Sequence, residues 1–191
     1  MNVPHSVPNV DPMQITAAWA EELARTLLEV PLPRRWAHVQ GVAARARSIA
    51  ATLGSDAELL EAAAWVHDIG YLPELASTGL HQLDGARYLR DVEKADQMLC
   101  RLVAHHSCAH IEAAERGLAH VLFREFEPAS AQLASALTFS DMTTSPDGES
   151  VNVDWRLAEI RDRYGSGHVV SRSIHRATPK ILDAVSRYRR P

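Results

Sequence analysis

The sequence of 191 residues predicts an all-α protein. Three observations carry that prediction. Apolar residues recur at helical spacing in segment after segment, as at Val42, Ala46, Ile49 and Leu53. No alternating apolar and polar run is long enough to make a useful strand. Cap and breaker residues punctuate the chain at helix-sized intervals. With 46% hydrophobic and 23% charged residues, the composition is that of an ordinary globular domain able to bury its own core.

Each element has a local cause. Residues 1–10 hold Pro4, Pro8, Asn2 and Asn9 and read as a loose arm. Asp11-Pro12 is a cap with proline behind it, opening a helix to about Glu29, with Ile15, Trp19, Leu23, Leu27 and Leu28 near one face. Pro31 and Pro33 are expected to end it. A second helix is expected over about 34–53, closed by Gly54, and a third over 56–67, capped by Ser55. Ile69-Gly70-Tyr71-Leu72-Pro73 breaks the pattern, and a loop through Ser77-Thr78-Gly79 follows. Further helices are expected over 82–92, 95–107 and 111–118, then from a Ser130 cap through Asp141. Ser145-Pro146-Asp147-Gly148 is a turn cluster. Helices over 154–164, 169–176 and 179–189 complete the chain, separated by Gly165-Ser166-Gly167 and Thr178-Pro179. There is no internal repeat and no low-complexity segment.

Several function classes are excluded or disfavoured. No apolar run approaches the ~20 residues of a membrane span. The N-terminus lacks the basic and apolar pattern of a secretory signal. Cys100 and Cys108 match no zinc spacing and no disulfide framework, so the expectation is a cytoplasmic protein with reduced thiols. A net charge of −4 argues against non-specific nucleic-acid binding. The charge is uneven: residues 151–191 hold nine Arg or Lys against four Asp or Glu, and residues 1–150 hold eleven against twenty. The basic segment reads first as the solvated face of surface helices, and secondly as a cationic surface for an anionic substrate.

Four helices place an ionisable residue where the core should be. His38 lies four residues before Val42 on the second helix's stripe, and His67 falls at Leu60 plus seven. His106 follows Leu99, Leu102 and Val103 at helical spacing, and Asp141 extends the face of Ala134, Leu137 and Thr138. A single inward histidine is most simply a satisfied core residue. Four inward groups together with the pair His67-Asp68 point to a shared metal, because buried charges pair or coordinate. At a helix end the backbone can turn both members of that pair inward, and a carboxylate can bridge two cations. Mixed imidazole and carboxylate ligands suit iron, manganese, zinc, cobalt or nickel.

Arg35-Trp36-Ala37-His38, Ala64-Trp65-Val66-His67-Asp68-Ile69-Gly70 and Phe139-Ser140-Asp141 together resemble the His…His-Asp…Asp signature of the HD-domain superfamily, mostly metal-dependent phosphohydrolases. The resemblance implies an HD-domain helical bundle. Residues 1–33 would be an N-terminal arm and helix, 34–142 the HD metal-binding core, and 143–191 a C-terminal helical extension packed on the same domain. His81 and the pair His105-His106 resemble the additional ligands of dinuclear members. Tyr71 departs from the lysine usual near that position, and no Gly-Tyr-Pro follows His106, which disfavours a cyclic di-GMP phosphodiesterase.

By resemblance, His38, His67, Asp68 and Asp141 bind a first metal. Asp68 would bridge to a second held by His81 and His106, or by His105 and His106 together. The single-metal alternative uses the first four alone, so one or two divalent ions are implied per chain. The implied activity is hydrolysis of a phosphate ester or anhydride, of a nucleotide or related small molecule, by a metal-activated water, with Asp68 and His67 at the reacting centre. Arg34, Arg35, Arg124 and the tail arginines are candidate phosphate binders. His110 and His120 read as ordinary surface or loop residues, and Asp84, Glu112 and Glu115 as solvated helix faces. Two other functions fit the same residues: a mixed-valent di-iron oxygenase with the same six ligands, and a non-catalytic metal or nucleotide-binding module. The expected partner is a small phosphorylated molecule, with no membrane and no specific nucleic acid; a homo-oligomer is compatible with the sequence.

Overall fold

The structure, a computed structural model, describes residues 16–188. Among the described residues there is no β-strand, only an isolated bridge between Thr144 and Ser150. No helix there is long and apolar enough to cross a membrane. Helix α1 spans Ala17–Leu28, and Thr16 caps it, its hydroxyl accepting from the Trp19 amide at 3.1 Å. The expected start at Asp11-Pro12, like the loose arm before it, lies outside the described residues; the observed cap places helix entry at Ala17.

Helix α2 (Pro33–Ser48) begins on a proline that was expected to end the preceding helix. At a first helical position proline loses no internal hydrogen bond and its φ is already helical. The helix stops at Ser48, short of the predicted Leu53. Two 3-10 turns, Ala50–Thr52 and Gly54–Asp56, carry the chain into α3 (Ala57–Val66), where no Ser55 cap forms. Helix α4 is His81–Asp91 and α5 is Gln97–His105, capped by Asp96. Helix α6 is Ala109–Glu115, and α7 (Ala119–Glu125) was not predicted. Of its seven residues only Leu122 is fully buried, so it carries almost no periodic signal. Helix α8 (Ala131–Met142) starts at its expected Ser130 cap. Helix α9 is Val153–Tyr164.

Helix α10 (Val169–Ser186) runs through Pro179, where two helices were expected. The ring removes the bond to the His175 carbonyl, but His175 is exposed and solvent can serve it. The Thr178 hydroxyl donates to the Ile174 carbonyl at 2.8 Å on the same turn. Packing of Ala177, Ile181, Ala184 and Val185 on one face holds the two halves in line.

Helix α3 is the centre of the bundle. It packs against α1, α2, α5 and α8. Leu60, Ala62, Ala63, Ala64, Trp65 and Val66 are all buried. Glu58 leaves the start of the helix at the surface, but residues 62–66 are apolar all round and lie inside, and their alanines let neighbours approach closely. Trp65 stacks on Trp36 of α2 with ring centroids 5.6 Å apart. Helix α10 lies across α6, α8 and α9.

Asp84, expected on a solvated face, is buried. It accepts from the Ser77 hydroxyl at 2.8 Å and from the amides of Ser77 and Thr78 at 3.1–3.2 Å, tying the loop before α4 to the helix. Asp84→Ala should lower stability by about 1–3 kcal/mol, the cost of leaving buried donors without partners. Thermal unfolding checks this, and an unchanged melting temperature would contradict the anchor.

Candidate metal centre

The end of α3 shapes the site. His67 still has a helical φ of −59°, whereas Asp68 (φ −106°, ψ 7°) leaves the helix and leads into a 3-10 turn at Ile69–Tyr71. The bend lets sequence neighbours face the same interior; His67 is 0% and Asp68 3% exposed. Gly70 brings α4 onto this turn. A Cβ there would collide with the His81 carbonyl and meet the Gly85 amide nitrogen at 2.7 Å. With only hydrogen in that place, His81 at the first turn of α4 reaches Asp68.

The histidines share one orientation. His38 Nδ1 donates to the Ser145 carbonyl at 2.9 Å, His67 Nδ1 to Ala64 at 2.8 Å, and His106 Nδ1 to Val103 at 2.7 Å. A carbonyl only accepts, so each Nδ1 must carry a proton. Each Nε2 is thereby presented inward, the arrangement typical of metal-binding imidazoles. Burial pushes the basicity of His67 down, and with its neighbours His67 and His81 brings His106 to about 3, so both rings are neutral near pH 7. His67 Nε2 is buried and has no hydrogen-bond partner, although Asp68 Oδ2 lies 3.4 Å away. A lone pair facing a carboxylate calls for a cation between them.

Asp68 divides its two oxygens. Oδ2 faces His67 Nε2 at 3.4 Å and His38 Nε2 at 3.7 Å, while Oδ1 faces His81 Nε2 at 3.3 Å and His106 Nε2 at 3.7 Å. Asp141 Oδ1 is 3.2 Å from His38 Nε2. Two ligands on one ion at ~2.0–2.2 Å each can be at most ~4.4 Å apart. These spacings therefore fit shared coordination. Three overlapping groups have their ligand atoms within 4.8 Å of one another: His38, His67 and Asp68; His67, His106 and Asp141; Asp68, His81 and His106. Burial disfavours charge on Asp68, but the Arg35 guanidinium at 2.5 Å, together with His67 and His81, holds the carboxyl well below the usual carboxylate range. Asp141 is held low despite burial, mainly by its contact with His38.

His105 is not brought to the cluster. It is the last residue of α5, its Nε2 donates to the Phe126 carbonyl at 2.8 Å, and its ring packs on Phe123. The chain reverses just beyond, with Ser107 and Cys108 both at positive φ (47° and 64°). Such left-handed backbone costs about 1–3 kcal/mol for residues other than glycine, and collects at functional sites. Here it carries the Ser107 hydroxyl onto Asp141 Oδ2, where it donates a short hydrogen bond. Sequence periodicity contains no signal for that contact.

The candidate phosphate arginines separate. Arg34 pairs with Asp147 at the surface, and Arg124 is exposed and does not line the cavity over the cluster. Arg35 is committed to Asp68, and its guanidinium carbon lies 4.0 Å from the Tyr71 ring centroid. The other face of Tyr71 stacks on His81, centroids 3.9 Å apart. Tyr71, the departure from the usual lysine, thus packs between His81 and the arginine that pairs with Asp68. Gly148, at φ +84°, lets the Ser145–Gly148 turn sit on α2, where a Cβ would strike the Ala37 carbonyl; that turn supplies the carbonyl for His38.

A helical bundle with a buried His/Asp cluster that can hold a divalent metal is thus defined by geometry alone. The HD domain model matches residues 35–144, more than half of the chain, and the protein belongs to the HD domain family, whose members are mostly metal-dependent hydrolases. No curated protein and no solved structure matched the chain.

Proposed function

We propose that this protein is a metal-dependent phosphohydrolase acting on an ester or anhydride of a small phosphorylated molecule. The observation that carries the proposal is a cavity lined both by Asp68, His81, His106 and Asp141 and, from α9, by Arg156 and Arg163. Metal-binding groups facing guanidinium groups suit a phosphoryl group, whose oxygens take both. When bound, the metal supplies Lewis acidity and lowers the pKa of a water. His38, His67, Asp68 and Asp141 would hold a first ion, and Asp68, His81 and His106 would serve a second. Asp68 also orients the attacking water by accepting its hydrogen bond, and Arg35 fixes Asp68 for that work. In the reaction the water oxygen forms a bond to phosphorus, the ester P–O bond breaks with its electron pair, and the water's proton ends on the released alcohol.

Support for two ions comes from the division of Asp68 between separate histidine pairs. Elemental analysis of untreated protein, run beside a phosphate-release panel, tests the proposal. The expected result is two divalent ions per chain, with His81→Ala lowering the content towards one. One ion per chain in both proteins would leave only the four-ligand site. Two irons with oxygen uptake and no phosphate release would replace hydrolysis with oxygenase chemistry.

A further inference from the structure

The cavity over the cluster has two halves of different origin. One is built by the ligands together with Arg35, Tyr71 and Gln82; the other comes from α9 and α10, through Arg156, Ile160, Tyr164, Val170 and Ile174. Arg156 is 4% exposed, yet its Nε has no hydrogen-bond partner. Glu159 takes its Nη1, which leaves the Nε edge of the guanidinium unused. Its charge reaches Asp141 and favours the ionised carboxylate there. Gln82 is also 4% exposed, and its Oε1 has no partner. A buried donor and a buried acceptor left unmet are costly, and both residues border one cavity. An anion satisfies the first; a hydroxyl or an amine satisfies the second.

Size narrows the ligand further. The cavity volume is about 70 Å³, against ~300–1,000 Å³ for sites that enclose drug-sized molecules. Ile160, Val170 and Ile174 leave the far wall apolar, and Glu112 at the border is already paired with Arg116 at 2.7 Å.

We propose that α9 and α10 form the substrate half of the site, with Arg156 binding a phosphoryl oxygen, and that the substrate is a small phosphate ester carrying a hydroxyl or amino group within reach of Gln82, not a nucleotide. This rests on the phosphohydrolase function proposed above. It assigns a binding role to residues beyond the segment that carries the ligand series.

The test uses the full-length, metal-loaded protein with three probes: inorganic phosphate by titration calorimetry, and phosphoethanolamine and adenosine 5′-monophosphate as substrates. Wild type should show a kcat/KM at least about tenfold higher for the small ester, since the narrow cavity leaves a nucleoside little apolar contact beyond its mouth. Arg156→Gln should weaken phosphate binding by about tenfold or more, the usual scale for losing a charge-assisted hydrogen bond. Its metal content should not change. Arg156→Lys should recover only part of the affinity, since lysine keeps the charge but not the fork. Ile160→Ala, by widening the cavity, should narrow the preference between the two esters. A folded Arg156→Gln that binds phosphate like wild type would overturn the assignment, as would faster turnover of the nucleotide in wild type. If the glutamine variant does not fold, wild-type phosphate affinity in Arg156→Lys overturns it. Phosphate release that is insensitive to Arg156 would sink this inference alone. Arg156-dependent phosphate binding without hydrolysis of any ester would uphold the anion site and reject the hydrolase function.

Discussion

Asp68→Asn is expected to remove turnover and most of the bound metal together. The substitution keeps the shape of the side chain and deletes its charge. Both oxygens are in use: Oδ2 faces His38 and His67, and Oδ1 faces His81 and His106. An amide retains one oxygen and puts an NH2 in place of the other, which cannot ligate. Changes to residues that merely support metal ligands typically cost ~10–100-fold, so losing this central carboxylate should cost more than about a hundredfold in kcat/KM. The Arg35 guanidinium, 2.5 Å away, would also lose its counter-charge and crowd the cations with its own. Elemental analysis and phosphate release on the same preparation check the result. Wild-type metal content in Asp68→Asn would show that this carboxylate is not a ligand.

Gly70→Ala is the second substitution with a large expected effect, and it replaces none of the proposed ligands. The new methyl group would meet the His81 carbonyl and the Gly85 amide, both of them backbone. Neither can rotate away, so the first turn of α4 must move off the turn that follows Asp68. Overpacking of this kind costs about 1–3 kcal/mol. The functional cost is larger, because His81 Nε2 sits 3.3 Å from Asp68 Oδ1 and would move with its helix. The variant should melt at a lower temperature and lose the ion assigned to His81 and His106, while His38, His67 and Asp141 keep theirs. Gly167→Ala, with nothing within 4 Å of the added atom, is the control and should be nearly neutral. A Gly70→Ala protein with wild-type stability and full metal content would mean that the close approach does not position α4.

What the sequence determined by itself was whatever follows from the helical repeat of ~3.6 residues. An imidazole standing at the spacing of leucines is visible without any knowledge of the fold, so His38, His67, His106 and Asp141 were legible as inward groups. The break at Ile69-Gly70 was legible too, since it interrupts that repeat. Tertiary structure decided the rest, because it turns on contacts between distant parts of the chain or on backbone bends that periodicity does not encode. His105 and His106 are adjacent, and only the end of α5 with the left-handed pair Ser107 and Cys108 sends one to Phe126 and the other into the cluster. Asp84 looked like a surface acid until the loop at Ser77 folded onto it. Pro179 looked like a break until side chains on both sides of it packed on one face. Arg35 and Arg156 have the same side chain; one is spent on Asp68 and the other keeps an unpaired Nε, a difference set by the neighbours each helix acquires on packing.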